Sequence, residues 1–213
     1  MFKWFENFIH PYPDDPPSPP PRGFFAFLWA GTNGVRPYIA IMACLTACVG
    51  AFEALLFAML GQVVDWLAGI EPARLWSQEG GTLVLLALVV LGSTALVALQ
   101  TTLKHQALAG NFPMRLRWNF HRLMLNQSMG FYQDEFAGRI TTKVMQTALA
   151  VRDTCLILTD ILVFVVIYFV TLTLVVGNFN SWMLLPFLGW VTAYALALRF
   201  FVPRLAKVSR TQA

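Results

Sequence analysis

Four apolar stretches, each too long for a water-soluble core, constrain this chain more than anything else in it. Tyr38 to Val64 runs 27 residues with one charge, Glu53. Gly81 to Leu103 carries no charge, Cys155 to Gly177 carries only Asp160, and Trp182 to Leu198 carries none. The hydrocarbon core of a bilayer is ~30 Å thick and takes about 20 apolar residues in a helix. Lipid offers backbone groups no hydrogen-bond partner, so only helices and closed barrels cross it. The stretches are continuous rather than alternating, which selects helices. Composition agrees: 57% of the 213 residues are hydrophobic and 12% charged, against about 45–50% and about 25% in soluble domains. The expected fold class is an all-α membrane protein with four transmembrane helices, spanning about 37–64, 81–103, 155–176 and 182–198.

The placement of lysine and arginine sets the expected orientation. Residues 1–36 carry three of the 15 basic residues, the connector 65–80 only Arg74, and the connector 177–181 none. Seven fall in 104–153 and four follow Leu198. Both termini and the long middle segment are therefore expected in the cytoplasm, in a multi-pass protein of the cell's inner (plasma) membrane. The net charge of +4 follows from that bias. The basic residues form no separate domain, so nucleic acid is not an expected partner, whereas membrane lipid is. Cys44 and Cys48 lie four residues apart on one helix face without His or carboxylate at ligand spacing, which predicts packing rather than metal binding.

Before the first span, residues 1–23 lack the apolar segment and small-residue cleavage site of a secretory signal. Their "PYPDDPPSPPPRG" (11–23) predicts an extended, exposed cytoplasmic leader without a partner, the alternative being a ligand for an SH3-like domain. Residues 24–36 follow as an interfacial element. "FFAFLWAG" (24–31) is too short to span and suits a helix in the headgroup layer. "TNGVRP" turns into the first span, with Pro37 placed to open a helix.

Residues 104–153 are more than a loop requires. Leu116, Phe120, Leu123 and Leu125 recur near helical spacing, as do Ile140, Val144, Ala148 and Val151. Two membrane helices are thus expected to continue as rods into the cytoplasm. A helix from Gly81 to Gln127 reaches ~70 Å at 1.5 Å per residue, with a kink expected at Pro113. A short element around 129–137 joins the rods, and "GNFNS" (177–181) makes a tight turn on the other side.

Charges inside the spans are candidate functional groups. At mid-span, Glu53 costs about 2.5–3.5 kcal/mol on insertion scales. Two readings stay open: a substrate or proton contact, and a hydrogen-bonded structural carboxyl. Near the cytoplasmic interface, Asp160 is expected to be structural. His105 and His121 stand at no ligand spacing and predict solvated or helix-pairing roles. Phe52, Phe57, Phe164 and Tyr168 are expected to face lipid or neighbouring helices, a greasy substrate path being the alternative.

The order of these pieces resembles the transmembrane domain of ATP-binding cassette (ABC) exporters of the multidrug and lipid-flippase type. The carrying stretch is "HRLMLNQSMGFYQDEFAGRITTKVMQTALAVRD", with the aromatic pair Phe131–Tyr132, then Gln133–Asp134–Glu135, Gly138 and Thr142–Lys143–Val144. "FFAFLWAG", "GQVVDWL" (61–67) and "RFFVPRLAKVSRTQA" support it, and it covers about residues 24–213. The resemblance implies an incomplete type IV exporter fold over 37–213, with the first four of six helices. It implies that 129–137 is a coupling helix, in which Phe131, Tyr132, Gln133, Asp134 and Glu135 contact a nucleotide-binding domain. It also implies a homo- or heterodimer of such halves, driven by ATP and Mg in a domain beyond these residues. The chain contains no Gly-Lys pair, hence no phosphate-cradling G-x-x-x-x-G-K-[ST] loop, and is expected to hold no cofactor and hydrolyse no ATP itself. One departure is Thr147, where the family often has Asp; its stalk-holding role is expected to be absent or to pass to Asp153. A proton-coupled transporter fragment using Glu53 and an inert scaffold binding a cytoplasmic partner are the rival classes.

Overall fold

The structure is a computed structural model, and it describes residues 3–16, 19–69, 75–134, 137–179 and 181–212. Among the described residues all regular structure is helical. Four helical runs are long and apolar enough to cross a membrane: Arg36–Ala68, Gly80–Leu125, Gly138–Asn178 and Ser181–Val208. The fold is the all-α, four-span architecture expected, with the second and third runs far longer than a bilayer needs.

Two short helices precede the first span: α1 (Lys3–Glu6) and α2 (Phe24–Gly31). Gly34 then turns the chain at φ 76°, where a Cβ would also overlap the Arg115 guanidinium. The first span, α3 (Arg36–Ala68), has Pro37 in its first turn, where a missing N–H costs nothing. Its inner face is the row Met42, Thr46, Gly50 and Ala54, all buried at a four-residue spacing. At Gly50 a Cβ would lie 3.2 Å from the Phe164 carbonyl oxygen, so glycine lets the first and third spans touch backbone to backbone. Cys44 and Cys48 sit two residues off that row and are exposed. They are not packed against the bundle as the sequence suggested, because about 200° of helix rotation turns them to its outer side.

The first long rod consists of α4 (Leu75–Thr102), a π-helical segment (Leu103–Leu108) and α5 (Ala109–Leu125). The short α6 (Met129–Asp134) follows. The second rod is α7 (Ala137–Leu156), a second π segment (Ile157–Leu162) and α8 (Val163–Phe179). A single 3₁₀ turn (Ser181–Met183) leads into α9 (Leu184–Gln212). Helix geometry changes at the π segment before Pro113, and α5 continues through the proline.

The core lies where the rods leave the spans. Leu108, Phe112 and Leu116 of the first rod meet Ala148, Val151 and Cys155 of the second, with Val35, Met42 and Ile9 closing the cluster. Both rods present these residues three or four apart, as a helix stripe requires. Leu125 falls two residues after Leu123, off the stripe, and is 68% exposed.

The leader corrects another expectation. After α1 it has no regular structure among the described residues, but residues 6–15 are bound along α5 rather than free. Asn111 Nδ2 donates to the carbonyls of Glu6 and Ile9 at 2.6 and 3.2 Å, and Arg115 Nη1 to that of His10 at 3.0 Å. Trp118 Nε1 and Arg122 Nη1 both reach the Pro13 carbonyl, at 3.1 and 2.9 Å. Arg122 also holds the carbonyls of Asp14 and Asp15 at 3.2 and 2.7 Å. The physical reason is that an extended proline-rich segment makes no internal hydrogen bonds. Its carbonyls stand open as acceptors for Trp118 and Arg122, while Asn111 and Arg115 on the same face of α5 hold the residues just before it.

Candidate functional site

The candidate site is the tip of the two rods. The Phe131 amide donates to the Ser128 carbonyl at 3.1 Å and to its hydroxyl at 3.4 Å, so Ser128 caps α6 as it leaves the turn after α5. Phe131 and Tyr132 stack edge to face at 5.4 Å. The Tyr132 hydroxyl donates back to the Met124 carbonyl at the end of α5, which fixes α6 to the first rod. Gln133 is exposed. Asp134 ends the helix, and Glu135 lies outside the described residues. The structure thus brings Phe131, Tyr132 and Gln133 together on one short helix. It adds Met129 and Leu125, 74% and 68% exposed, which sequence periodicity did not single out. An apolar, aromatic patch presented at the rod tips, beyond the core, can seat in a partner's groove.

The two rods are tied to each other beyond the core packing. Pro113 cannot donate to the carbonyl of Ala109. That orphaned oxygen accepts from Arg152 Nη1 of the second rod at 3.3 Å. Asp153 holds the same guanidinium at 2.7 Å. The cross-rod tie is thus Arg152 on a backbone acceptor, with Asp153 orienting it, while Thr147 is half-buried beside the stripe.

Above the core, a polar network joins three spans. Gln100 Nε2 donates to Asp160 Oδ1 at 2.8 Å and to Thr46 Oγ1 at 3.2 Å. Lys104 forms an ion pair with the other oxygen of Asp160. Lys104 and Asp160 each lie within one of the π segments, a helix irregularity frequent at functional positions. Asp160 is therefore a tether between the rods. Glu53 lies apart from it, half-buried on a crevice of about 130 Å³ between the first and second spans, facing Ser93 and Val97. Phe164 and Tyr168 stack at 5.6 Å, and Phe57 is 63% exposed. A wider apolar groove of about 640 Å³ runs between α8 and α9, where Phe169 stacks on Trp190 at 5.6 Å.

Among the described residues no cluster of three or more His, Cys, Asp or Glu could hold a metal ion. The sequence contains no Gly-Lys pair, hence no G-x-x-x-x-G-K-[ST] loop.

No solved structure matches the chain. An "Uncharacterized ABC transporter ATP-binding protein" of Haemophilus influenzae is 47% identical over 213 residues, all of this chain and 35% of that protein. The chain thus spans about a third of the length of that curated relative. Residues 39–213 match the ABC transporter transmembrane region. This multi-pass chain belongs to the ABC transporter transmembrane family.

Proposed function

We propose that the chain is the leading part of an ABC exporter's transmembrane domain, and that α6 is the surface on which a nucleotide-binding domain docks. The observation that carries this reading is the exposed Leu125–Met129–Tyr132 patch at the tip of rods that overshoot the bilayer. An apolar patch held far from lipid needs a protein partner. The name of the 47% identical relative, an ATP-binding protein, supports a nucleotide-binding domain in that role. ATP and Mg belong to that domain. The residues of this chain receive its displacement, carry it through the Arg152 tie and the shared core, and change the exposure of the spans. The cargo is a hydrophobic or amphipathic molecule moved out of the cytoplasm, the class that apolar walls such as the Phe169–Trp190 groove accommodate. Both termini lie in the cytoplasm of a cell with this protein in its inner membrane, and two halves, identical or different, make the working unit.

The test uses the full-length protein with Met129→Ala, Phe131→Ala and Tyr132→Ala. Anchors of this kind each contribute on the order of 2 kcal/mol to docking. Transport-linked ATPase activity is expected to fall at least roughly tenfold while membrane insertion is retained. Wild-type ATPase activity and assembly in all three variants would refute the docking role.

A further inference from the structure

A second groove, of about 590 Å³, lies away from the rod tips, between α2, the start of α3 and the third span. Its walls are Leu28 of α2, Ile39 and Ala43 of α3, and Leu158 of the second π segment. Among the described residues Arg36 is the one charged residue lining it, and no carboxylate does. Arg36 is the first residue of α3, which for a span of this length puts it at the level of the headgroups. Its guanidinium lies 4.1 Å over the Trp29 ring, donates from Nη2 to the Trp29 carbonyl at 2.9 Å and reaches Thr32 Oγ1 from Nε at 3.5 Å.

Those contacts fix the guanidinium in place and occupy two of its five N–H donors. The other three find no acceptor among the described residues. A dry apolar trough in a membrane fills with acyl chain, and that alone selects no lipid. A rigid, half-buried cation with spare donors does select, because the planar fork of arginine matches phosphate oxygens and no acid beside it neutralises the charge. We infer that this groove binds an anionic phospholipid, with one acyl chain along Leu28, Ile39 and Leu158 and the phosphate on Arg36. The site does not depend on the docking role of α6 or on ATP.

The experiment places the full-length protein in nanodiscs of equal phosphatidylglycerol and phosphatidylcholine, then counts retained lipids by native mass spectrometry. A basic residue near the surface contributes enough for roughly fivefold enrichment of phosphatidylglycerol among tightly held lipids. Arg36→Gln brings the ratio close to parity, and Arg36→Lys, which keeps the charge but loses the fork, lies between. Ala43→Phe fills the trough and removes one retained lipid per chain of either type. Parity in the wild type, unchanged enrichment in Arg36→Gln, or an unchanged lipid count in Ala43→Phe would each overturn the inference. If Arg36→Gln loses its helical circular dichroism, Ala43→Phe and Arg36→Lys decide the question.

Discussion

Lys104 and Asp160 carry opposite charges into an environment where neither is stable alone. Their side chains keep 29% and 20% of their exposure, so the pair is partly solvated and its contribution is discounted accordingly. Asp160→Asn, which strands Lys104, is expected to cost roughly 1–3 kcal/mol, and Lys104→Met to strand Asp160 at similar cost. The double variant recovers much of either loss, since removing both charges also removes the desolvation penalty. Thermal unfolding in detergent, read as a double-mutant cycle, checks the coupling. A different mechanism acts at Gly50. Gly50→Leu drives side-chain atoms into the Phe164 backbone and is expected to separate the first and third spans, lowering the unfolding temperature by several degrees. The sequence showed the isolated charges plainly, because a carboxylate in an apolar run has no local explanation. It did not show their pairing. Lys104 and Asp160 are 56 residues apart, and periodicity along one helix says nothing about the depth at which another helix presents its charge. The same blindness left Glu53 with two readings. The structure sets it on a crevice distinct from the tether.

At the scale of elements, the short helix α6 and the bound leader make contrasting use of their surroundings. In α6, sequence order marked the aromatic pair, but not that the Tyr132 hydroxyl turns back onto α5 and leaves Met129 as the most exposed apolar side chain of the tip. Tyr132→Phe is expected to loosen the tip locally, with faster amide exchange across residues 129–134 and little change in global stability. The leader was misread for a physical reason. Proline-rich composition predicts an open, unpaired backbone, which is true, and solvent was taken as its partner when α5 supplies one. Arg122→Ala removes three of the donors. Limited proteolysis within residues 10–16 is expected to speed up on the order of a hundredfold, because three hydrogen bonds of around 1 kcal/mol each are lost. Unchanged cleavage would show that the Asn111, Arg115 and Trp118 bonds and the packing of Ile9 and Pro13 hold the leader without Arg122. The π segments had no signal in composition. They are visible only when both rods are seen to shift helix geometry beside one another.

Across the whole molecule, burial is uneven. The most apolar stretches of the second and fourth runs bury no residue, while that of the first buries 22%. On the proposed two-half assembly those bare faces are left for lipid and for the other half, and hydropathy showed the four spans without showing which would pack. On the proposed orientation, Ser128→Cys, in a background lacking Cys44, Cys48 and Cys155, is labelled by a membrane-impermeant maleimide only from the cytoplasmic side. Trp182→Cys reacts only from the opposite side, and the reverse pattern would invert the topology. The position of the core has a mechanical consequence. Packing clusters near Leu108 and Phe112, which on the proposed coupling role makes that cluster the fulcrum of the first rod. The arm from Leu108 to Leu125 is ~26 Å and the arm back to Gly81 ~40 Å at 1.5 Å per residue. On that proposal a rigid pivot would enlarge a tip displacement about 1.6-fold at the far end of the rod, turning ~2 Å at α6 into ~3 Å near Gly81.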